Sequence, residues 1–251
     1  MAYEGLKPSQ LLSEVKAEVE RPFGEKLERA VGLIRLFAGR DACVACSFGK
    51  DSLAVLWLCL QENPDIPVVF NNTGVEYVET IEFKEKLTRD WRLNLIETKP
   101  EMSYWQVMES LKGRVDNGRK WVDKCCYELK EKPFKRVVRE YGFKFCFTGL
   151  TALESRARMW VACERGMQYY SRKEGVTKVH PILYWTPEEV WRFTREKGIP
   201  VNPAYAKYGL NRIGCVPCTS HRNWRAQLAK VNPAIYKHVM ERYFKQRLLM
   251  P

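Results

Sequence analysis

No stretch of this sequence is both apolar and long enough to cross a bilayer, which excludes a protein held in the membrane by a hydrophobic helix. The N-terminus contains no basic region followed by an apolar segment, so we see no secretory signal and expect a cytoplasmic location without a membrane partner. Internal repeats and low-complexity tracts are absent as well. With 45% hydrophobic and 29% charged residues, the 251-residue chain is expected to be soluble and to bury a sizeable core.

Disulfide bonds are not expected either, although the sequence contains nine cysteines. In a reducing compartment, clustered cysteines are more often metal ligands or redox groups than bridges. The other marked feature is the formal net charge of +12 at pH 7. Such an excess suggests an anionic partner, either a nucleic acid or the phosphates of a small substrate, and charge alone does not distinguish the two.

The pattern of apolar residues predicts strands that alternate with helices. Strands are predicted at residues 42–46, 67–71, 93–98, 144–149 and 177–183, and helices at 25–40, 53–61, 78–90, 128–141 and 187–197, the last capped by Thr186. This alternation predicts an α/β fold with a doubly wound, mostly parallel sheet. We divide the chain into a helical N-terminal arm (1–40), a central domain (41–220) and a basic, helical C-terminal segment (221–251).

A polar loop, Ser47-Phe48-Gly49-Lys50-Asp51-Ser52, joins the first predicted strand to the next helix. Backbone N–H groups at a helix N-terminus, hydroxyl groups and a lysine ammonium all favour phosphate binding. The spacing differs from that of a Walker A loop, which has a longer glycine-rich stretch before its lysine. A carboxylate beside phosphate is unfavourable by itself, so we expect Asp51 to recruit Mg²⁺ that bridges pyrophosphate oxygens, an arrangement that suits ATP.

Two further segments are expected at the same edge of the sheet, because ligands of parallel α/β sheets bind beyond the carboxyl ends of the strands. Asn72, Thr73 and Gly74 follow the second predicted strand, and Gly149 ends the fourth. We expect the first three residues to lie near the nucleoside and count Gly149 among the nucleotide-binding residues.

Four cysteines occur in two pairs, Cys125 with Cys126 and Cys215 with Cys218. The pairs can supply four thiolates to one centre, which can be zinc or a [4Fe–4S] cluster, and their spacing alone does not settle which.

The other cysteines are expected to be structural. Cys43 and Cys46 form a further C-x-x-C, but residues three apart in a strand point to opposite faces and should not chelate together. Small core positions are expected for Cys59, Cys146 and Cys163.

These motifs together resemble a known family. The loop at 47–52 is similar to the SGGxDS pyrophosphate loop of the adenine-nucleotide α-hydrolase (PP-loop ATP pyrophosphatase) superfamily, and its Ser-Phe-Gly form is typical of the sulfonucleotide (PAPS and APS) reductases. Both cysteine pairs, with 128–133 after the first and 213–219 around the second, resemble the iron–sulfur pattern of bacterial and plant-type APS reductases. The resemblance runs from about residue 41 to 220.

The resemblance implies that the four paired cysteines bind one [4Fe–4S] cluster. It also implies that Arg156 and Arg158 reach the phosphate or sulfate of an adenine nucleotide, which is ATP, APS or PAPS. Residues 41–220 are then a nucleotide-binding and iron–sulfur domain.

The reductases of this family carry a nucleophilic cysteine in a C-terminal Glu-Cys-Gly-Leu/Ile-His segment, and no cysteine follows Cys218 here. We therefore favour ATP-dependent sulfur transfer to a nucleic acid, with adenylation and release of pyrophosphate. Lys50, Asp51 with Mg²⁺, Arg156 and Arg158 are the expected catalytic residues, since they would stabilise charge that develops on phosphate. The alternatives are a PAPS or APS reductase that releases sulfite with an external thiol, and a non-catalytic nucleotide- or redox-sensing subunit.

Each interpretation implies its own partners. Sulfur transfer requires a cysteine desulfurase as donor and tRNA or DNA as acceptor, whereas reduction requires a thioredoxin-like thiol donor. We expect the nucleic acid to approach across the basic C-terminal segment, and the protein to form a homo-oligomer. The cations of that segment are Arg222, Arg225, Lys230, Lys237, Arg242, Lys245 and Arg247.

Overall fold

Helices and short strands alternate along the chain in the computed structural model, which describes residues 8–39, 41–111, 123–220 and 223–244. The strands are β1 (Ala42–Ala45), β2 (Val68–Asn71), β3 (Leu95–Thr98), β4 (Phe145–Thr148), β5 (Gln168–Ser171) and β6 (Val176–Val179). The α-helices are α1 (Pro8–Glu20), α2 (Phe23–Phe37), α3 (Lys50–Glu62), α4 (Val78–Asp90), α5 (Tyr104–Leu111), α6 (Lys132–Tyr141), α7 (Arg156–Arg165), α8 (Pro187–Glu196), α9 (Ala204–Tyr208), α10 (Trp224–Val231) and α11 (Pro233–Val239). Within those ranges, no helix is long and apolar enough to span a membrane.

The six strands form one sheet in the order β3-β2-β1-β4-β6-β5. Neighbouring strands are parallel except β5 and β6, which pair antiparallel. Parallel neighbours need long crossover connections, and helices of this chain supply them. The prediction of a doubly wound, mostly parallel α/β sheet is confirmed.

Most predicted elements differ from the observed ones by one to three residues at an end, and two differ by four. The strand predicted at 177–183 ends at Val179, because the chain turns at His180, whose carbonyl oxygen accepts a hydrogen bond from the N–H of Leu183 at 3.1 Å. The helix predicted at 128–141 begins with a π-helical turn, Tyr127–Glu131, before α6. By contrast, Thr186 caps α8 as predicted, because its hydroxyl oxygen accepts a hydrogen bond from the N–H of Glu189 at 3.2 Å.

Apolar side chains pack on both faces of the sheet. The larger core cluster lies under α2, α3 and α8 and includes Ile34 and Phe193. A smaller cluster lies on the opposite face under α6 and includes Phe134. Cys46 belongs to the first cluster and Cys43 to the second, so these two thiols lie on opposite faces of the sheet, as predicted.

A buried lysine ties the N-terminal helices to the central domain. The side chain of Lys26, on α2, is 3% exposed. Its Nζ donates to the carbonyl oxygen of Val19 at 2.8 Å and pairs with Oε2 of Glu189, on α8, at 2.6 Å. The helices before residue 41 are thus held by charge as well as by apolar contacts, while the domain boundaries themselves stay predictions.

Candidate nucleotide and cysteine sites

The polar loop at residues 47–52 lies where the strand order of the sheet reverses. Strands β2 and β3 follow β1 on one side, whereas β4 and β6 lie on the other. The connections leave β1 and β4 in opposite directions, which opens a crevice beyond their carboxyl ends. Ala45 and Thr148, the last residues of these two strands, line a cavity of about 270 Å³ in this crevice, here called the strand-end cavity.

Hydrogen bonds within the loop fix its shape. The N–H of Ser47 donates to Oγ of Ser52 at 3.2 Å, and that hydroxyl donates to the carbonyl oxygen of Gly49 at 3.0 Å. The N–H of Lys50 donates to the hydroxyl oxygen of Tyr205 at 3.0 Å. The first-turn N–H groups of a helix have no intrahelical acceptors, so the N-terminus of α3 presents donors and a positive dipole end to an anion at the cavity.

Phe48 occupies a backbone conformation that most side chains avoid. Its φ is +56°, in the left-handed region, where the superfamily loop pattern has glycine. The ring is fully buried and meets Phe70 edge-on at 5.5 Å between centroids. The carbonyl oxygen of Phe48 also accepts from Asn202 at 3.3 Å. Phe48 therefore acts as an anchor of the loop in the core and does not line the strand-end cavity.

Gly149 brings the end of β4 against the start of α3. A Cβ at this position would lie 2.5 Å from the carbonyl carbon of Asp51 and 2.5 Å from the nitrogen of Ser52. Only glycine permits this approach, because the atoms that a side chain would meet belong to the backbone.

Six predicted residues line the strand-end cavity. They are Ser47, Gly49, Asp51, Ser52, Gly149 and Arg158. The cavity therefore combines predicted residues from the loop, from the end of β4 and from α7.

Other predicted residues point elsewhere. Lys50 is buried and its Nζ pairs with Oδ1 of Asp51 at 2.5 Å. Asn72 donates to Glu97, on β3, at 2.8 Å and accepts from the N–H of Gly74, in its own loop, at 2.9 Å, so both ends of its amide have partners. Arg156 is exposed at the first turn of α7 and does not line the cavity.

Thr73 lies towards the second cysteine pair. Its hydroxyl donates to Glu76 at 2.6 Å and lies 3.4 Å from Sγ of Cys215.

Polar residues that the sequence did not single out complete the cavity. Asn71, Tyr205 and Arg212 line it, the first from the end of β2 and the other two from the segment after α8. Glu154 joins two guanidinium groups, because its carboxylate pairs with Arg158 and, at 3.2 Å, with Nε of Arg212. Burial lowers the pKa of Arg158 from its ordinary value, and the charge of Glu154 acts in the opposite direction.

A neutral histidine supports the end of β4. Nδ1 of His180 lies 2.7 Å from the hydroxyl oxygen of Thr148, which lines the cavity. Burial lowers the pKa of His180 to about 3, and the charges of Lys178 and Arg158 act in the same direction. The imidazole is therefore uncharged at neutral pH and can orient the threonine hydroxyl.

The four paired cysteines line a second cavity, of about 40 Å³, here called the cysteine cavity. Cys125 and Cys126 lie on helical residues 123–126, just before the π-helical turn. Cys215 and Cys218 lie on a tight turn in which the N–H of Cys218 donates to the carbonyl oxygen of Cys215 at 3.2 Å. In the part of the chain that the structure describes, no group of three or more His, Cys, Asp or Glu could hold a single metal ion.

Lys130 lies in the walls of both cavities, so its charge is close to both. Burial, followed by the nearby sulfurs, raises the pKa of the Cys125 thiol to about 12. The pKa of Lys130 is raised in turn, first by Cys215 and then by Cys126 and Cys218. Lys130 therefore carries a full positive charge between the sulfur atoms and the strand-end cavity.

The basic C-terminal segment is only partly described. Arg222, Lys245 and Arg247 lie outside the described residues. Arg242 pairs with Glu109 at 2.9 Å, and Nζ of Lys230 donates to the carbonyl oxygen of Tyr208 at 2.9 Å. Two cations of this segment thus already have protein partners, and its contact with nucleic acid stays a prediction.

Comparisons with known proteins agree on the family. A model of the phosphoadenosine phosphosulfate reductase domain matches residues 41–221. The phosphoadenosine 5'-phosphosulfate reductase of Xanthomonas oryzae pv. oryzae is 31% identical over 217 residues, which cover 85% of this chain and 83% of that protein.

Solved structures share the fold. The phosphoadenylyl-sulfate (PAPS) reductase of Candida auris, in a phosphate complex, has a TM-score of 0.56 and 19% identity over 84% of this chain and 96% of that one. The U34-tRNA thiolase of Methanococcus maripaludis, solved with its [4Fe-4S] cluster, has a TM-score of 0.52 and 16% identity over 90% of this chain and 80% of that one.

Proposed function

This chain belongs to the phosphoadenosine phosphosulfate reductase family, and from that membership we propose that it binds a sulfated adenine nucleotide, PAPS or APS, in the strand-end cavity and reduces it to sulfite. The observation that carries the proposal is Lys130, which forms part of the walls of both cavities. A cation in this position is available to the sulfate or phosphate of the nucleotide.

The loop and the arginines set the orientation of the nucleotide. Phosphate fits the N-terminus of α3, where the N–H groups of Asp51 and Ser52 have no intrahelical acceptor and that of Lys50 donates to Tyr205. Arg158 and Arg212 share the single carboxylate of Glu154, so their remaining N–H donors are available to an anion. In this proposal the reacting end of the nucleotide lies between the arginines and Lys130.

Reduction requires a thiolate that attacks the sulfur of the sulfate group. The bond from sulfur to the bridging oxygen breaks, and the nucleotide leaves as a phosphate anion that the cations of the cavity stabilise. A second thiol then attacks the thiol-bound sulfo group at the first sulfur, which forms a disulfide and releases sulfite. Among the described residues, Cys46 lines this cavity, but burial raises its pKa to about 11, so it is a poor nucleophile at neutral pH. We therefore assign the attacking thiol to a separate, thioredoxin-like protein.

We further propose that the cysteine cavity holds one [4Fe–4S] cluster. Its four thiols come from two segments that meet around one space, and tetrathiolate ligation is what such clusters use. A zinc ion, with Zn–S bonds of about 2.3 Å, would draw its sulfurs to within about 4 Å of one another. The described cysteines form no group that could hold a single metal ion. A bound cluster would supply redox-capable, negatively charged sulfur beside Lys130.

ATP-dependent sulfur transfer is the second candidate, and the position of Asp51 favours it. The carboxylate lines the strand-end cavity, where it pairs with Lys50 and is available as an oxygen ligand for Mg²⁺. Mg²⁺ held there would suit the pyrophosphate of ATP. In this reaction an oxygen of tRNA or DNA attacks the α-phosphate, pyrophosphate leaves, and sulfur from a cysteine desulfurase then displaces AMP.

The products distinguish the candidates. Anaerobically purified protein would be incubated with PAPS, APS or ATP, each with and without thioredoxin and with and without tRNA. Sulfite from PAPS or APS that depends on thioredoxin is the expected result. Pyrophosphate from ATP without sulfite from either sulfonucleotide would replace reduction by sulfur transfer, and binding without either product would indicate a sensing subunit.

Two arginines on one helix provide a matched test of the nucleotide site. We expect Arg158→Gln to weaken PAPS binding by about 10- to 150-fold, the value of a charge-assisted contact of roughly 1.5–3 kcal/mol. Arg156→Gln removes the same charge from the exposed side of α7 and should bind as the unchanged protein does. Equal losses in calorimetric titrations of the two variants would contradict the placement.

A similar pair tests the cluster. We expect Cys215→Ser to lose most of the iron and labile sulfide that the anaerobically reconstituted protein holds. Cys163→Ser, a change in a different core cluster, should retain them. Stoichiometric zinc without iron in the unchanged protein would exclude the cluster while leaving the nucleotide site untouched.

A further inference from the structure

The exposed edge of the sheet carries a groove that the proposed chemistry does not use. Strand β5 ends the described strand order, and a cavity of about 530 Å³ follows it. We call this cavity the edge groove. Its lining residues are Glu164, Arg165, Gln168, Tyr169, Tyr170, Ser171, Arg172 and Lys173.

The charge of the edge groove is mainly positive. Three cations, Arg165, Arg172 and Lys173, face one carboxylate, Glu164. A neighbouring cavity of about 290 Å³ shares two of these cations and adds Arg139. Its one carboxylate, on Glu174, is already paired with Lys178 at 2.9 Å. A cationic path therefore continues past the end of β5, although Lys173 also pairs with Glu131.

Aromatic rings lie among these cations. Tyr170 is 61% exposed, although it lies in a strand. The guanidinium carbon of Arg165 lies 4.7 Å from the centre of the Tyr169 ring. An exposed tyrosine on a surface lined by arginines is a feature by which proteins hold unpaired bases and their phosphates, since the ring stacks on a base and the cations meet the backbone.

The edge groove also leads towards the strand-end cavity. Helix α7 has Arg158 in that cavity and ends at Arg165 in the groove, about 10 Å further along the helix axis. Gln168, at the start of β5, pairs with Val179 at the carboxyl end of β6. A chain that follows β5 therefore reaches the level of the nucleotide site.

We propose that the edge groove binds a single-stranded nucleic acid, with bases stacked on Tyr170 and phosphates on Arg165 and Arg172. The inference goes beyond the reduction proposed above and differs from contact through the C-terminal segment. The competing explanation for the cations of the edge groove is that charge on an edge strand prevents edge-to-edge aggregation.

The test measures binding of fluorescent single-stranded RNA and DNA of one mixed sequence by anisotropy over a range of salt concentrations. The double variant Arg165→Gln/Arg172→Gln should lower the slope of log K against log salt by about 1.4, because each phosphate contact contributes about 0.7 for single strands. The control Arg89→Gln/Arg195→Gln removes two exposed arginines elsewhere and should leave the slope unchanged.

A second pair of variants tests stacking. Tyr170→Leu should weaken binding by about 5- to 150-fold, the range for one base stacked on an aromatic ring, whereas Tyr170→Phe should not. Thermal unfolding would verify that each variant folds. The proposal is overturned if neither strand binds at low salt, if both arginine pairs change the slope equally, or if the groove variants aggregate but bind as the unchanged protein does.

Discussion

Replacing Gly149 with alanine should separate two elements whose contact shapes the strand-end cavity. The added Cβ would lie 2.5 Å from backbone atoms of Asp51 and Ser52, whereas ordinary contacts begin at 3.4 Å. The end of β4 or the first turn of α3 must therefore move by about 0.9 Å. Overpacking of this kind costs about 1–3 kcal/mol of stability. A misplacement of about 1 Å can reduce the rate of a positioned reaction by about 100-fold.

Gly32 provides the matched control. It lies within α2, and a Cβ there would meet nothing within 4 Å. Because alanine is the better helix former, Gly32→Ala should raise the free energy of unfolding by up to about 1 kcal/mol and leave nucleotide binding unchanged. Urea unfolding followed by circular dichroism and calorimetric titration with PAPS would measure both effects. A Gly149→Ala variant that unfolds and binds as the unchanged protein does would refute the packing argument.

Three further predictions concern buried polar groups. Lys26→Met removes the partner of Glu189 and should lower the free energy of unfolding in urea by about 2–3 kcal/mol. The control Lys16→Met changes an exposed lysine and should lower it by less than about 0.5 kcal/mol, so equal values would contradict a stabilising buried ion pair. The pKa of His180 in the folded state, about 3, lies below its unfolded value of about 6.5, so only the unfolded state binds a proton between these values. Its contribution to stability is therefore lost as pH falls through this window, by about 1.4 kcal/mol per pH unit. His180→Gln should reduce the slope of the free energy of unfolding against pH by the equivalent of one proton, and an unchanged slope would show that another group causes it. Tyr205→Phe removes the acceptor of the first N–H of α3 and should lower the free energy of unfolding by about 1–3 kcal/mol. An unchanged unfolding midpoint would contradict the importance of this hydrogen bond.

The sequence predicts the strand, loop and helix around residues 47–52 correctly because their signal is local. A buried strand, a polar loop and a helix follow one another, and their packing requires no knowledge of distant segments. The side chains were harder to assign, since a shift by one residue changes the direction in which a side chain points. Asn71, not Asn72, lines the cavity. On a helix, residues two apart also differ by about 200° in direction, so Arg158 faces the cavity and Arg156 does not.

Long-range contacts were beyond the reach of the local patterns. Tyr205 and Arg212 reach the cavity from a segment that lies far from the loop along the chain. Strand β5 was not predicted either, because it lies at the edge of the sheet, is largely exposed and shows no regular alternation of apolar residues. The cysteine pairs were easier, since their types and spacing indicate a shared site wherever the fold brings them together.

The left-handed conformation of Phe48 has a consequence for the energetics of ligand capture. Its buried ring and the hydrogen bond from Asn202 hold the loop in shape through contacts with the core, not through contacts with a ligand. The loss of conformational freedom in this loop is therefore incurred when the protein folds. A nucleotide bound as proposed would meet a preorganised loop and would not have to order it, so more of its contact energy would appear as affinity.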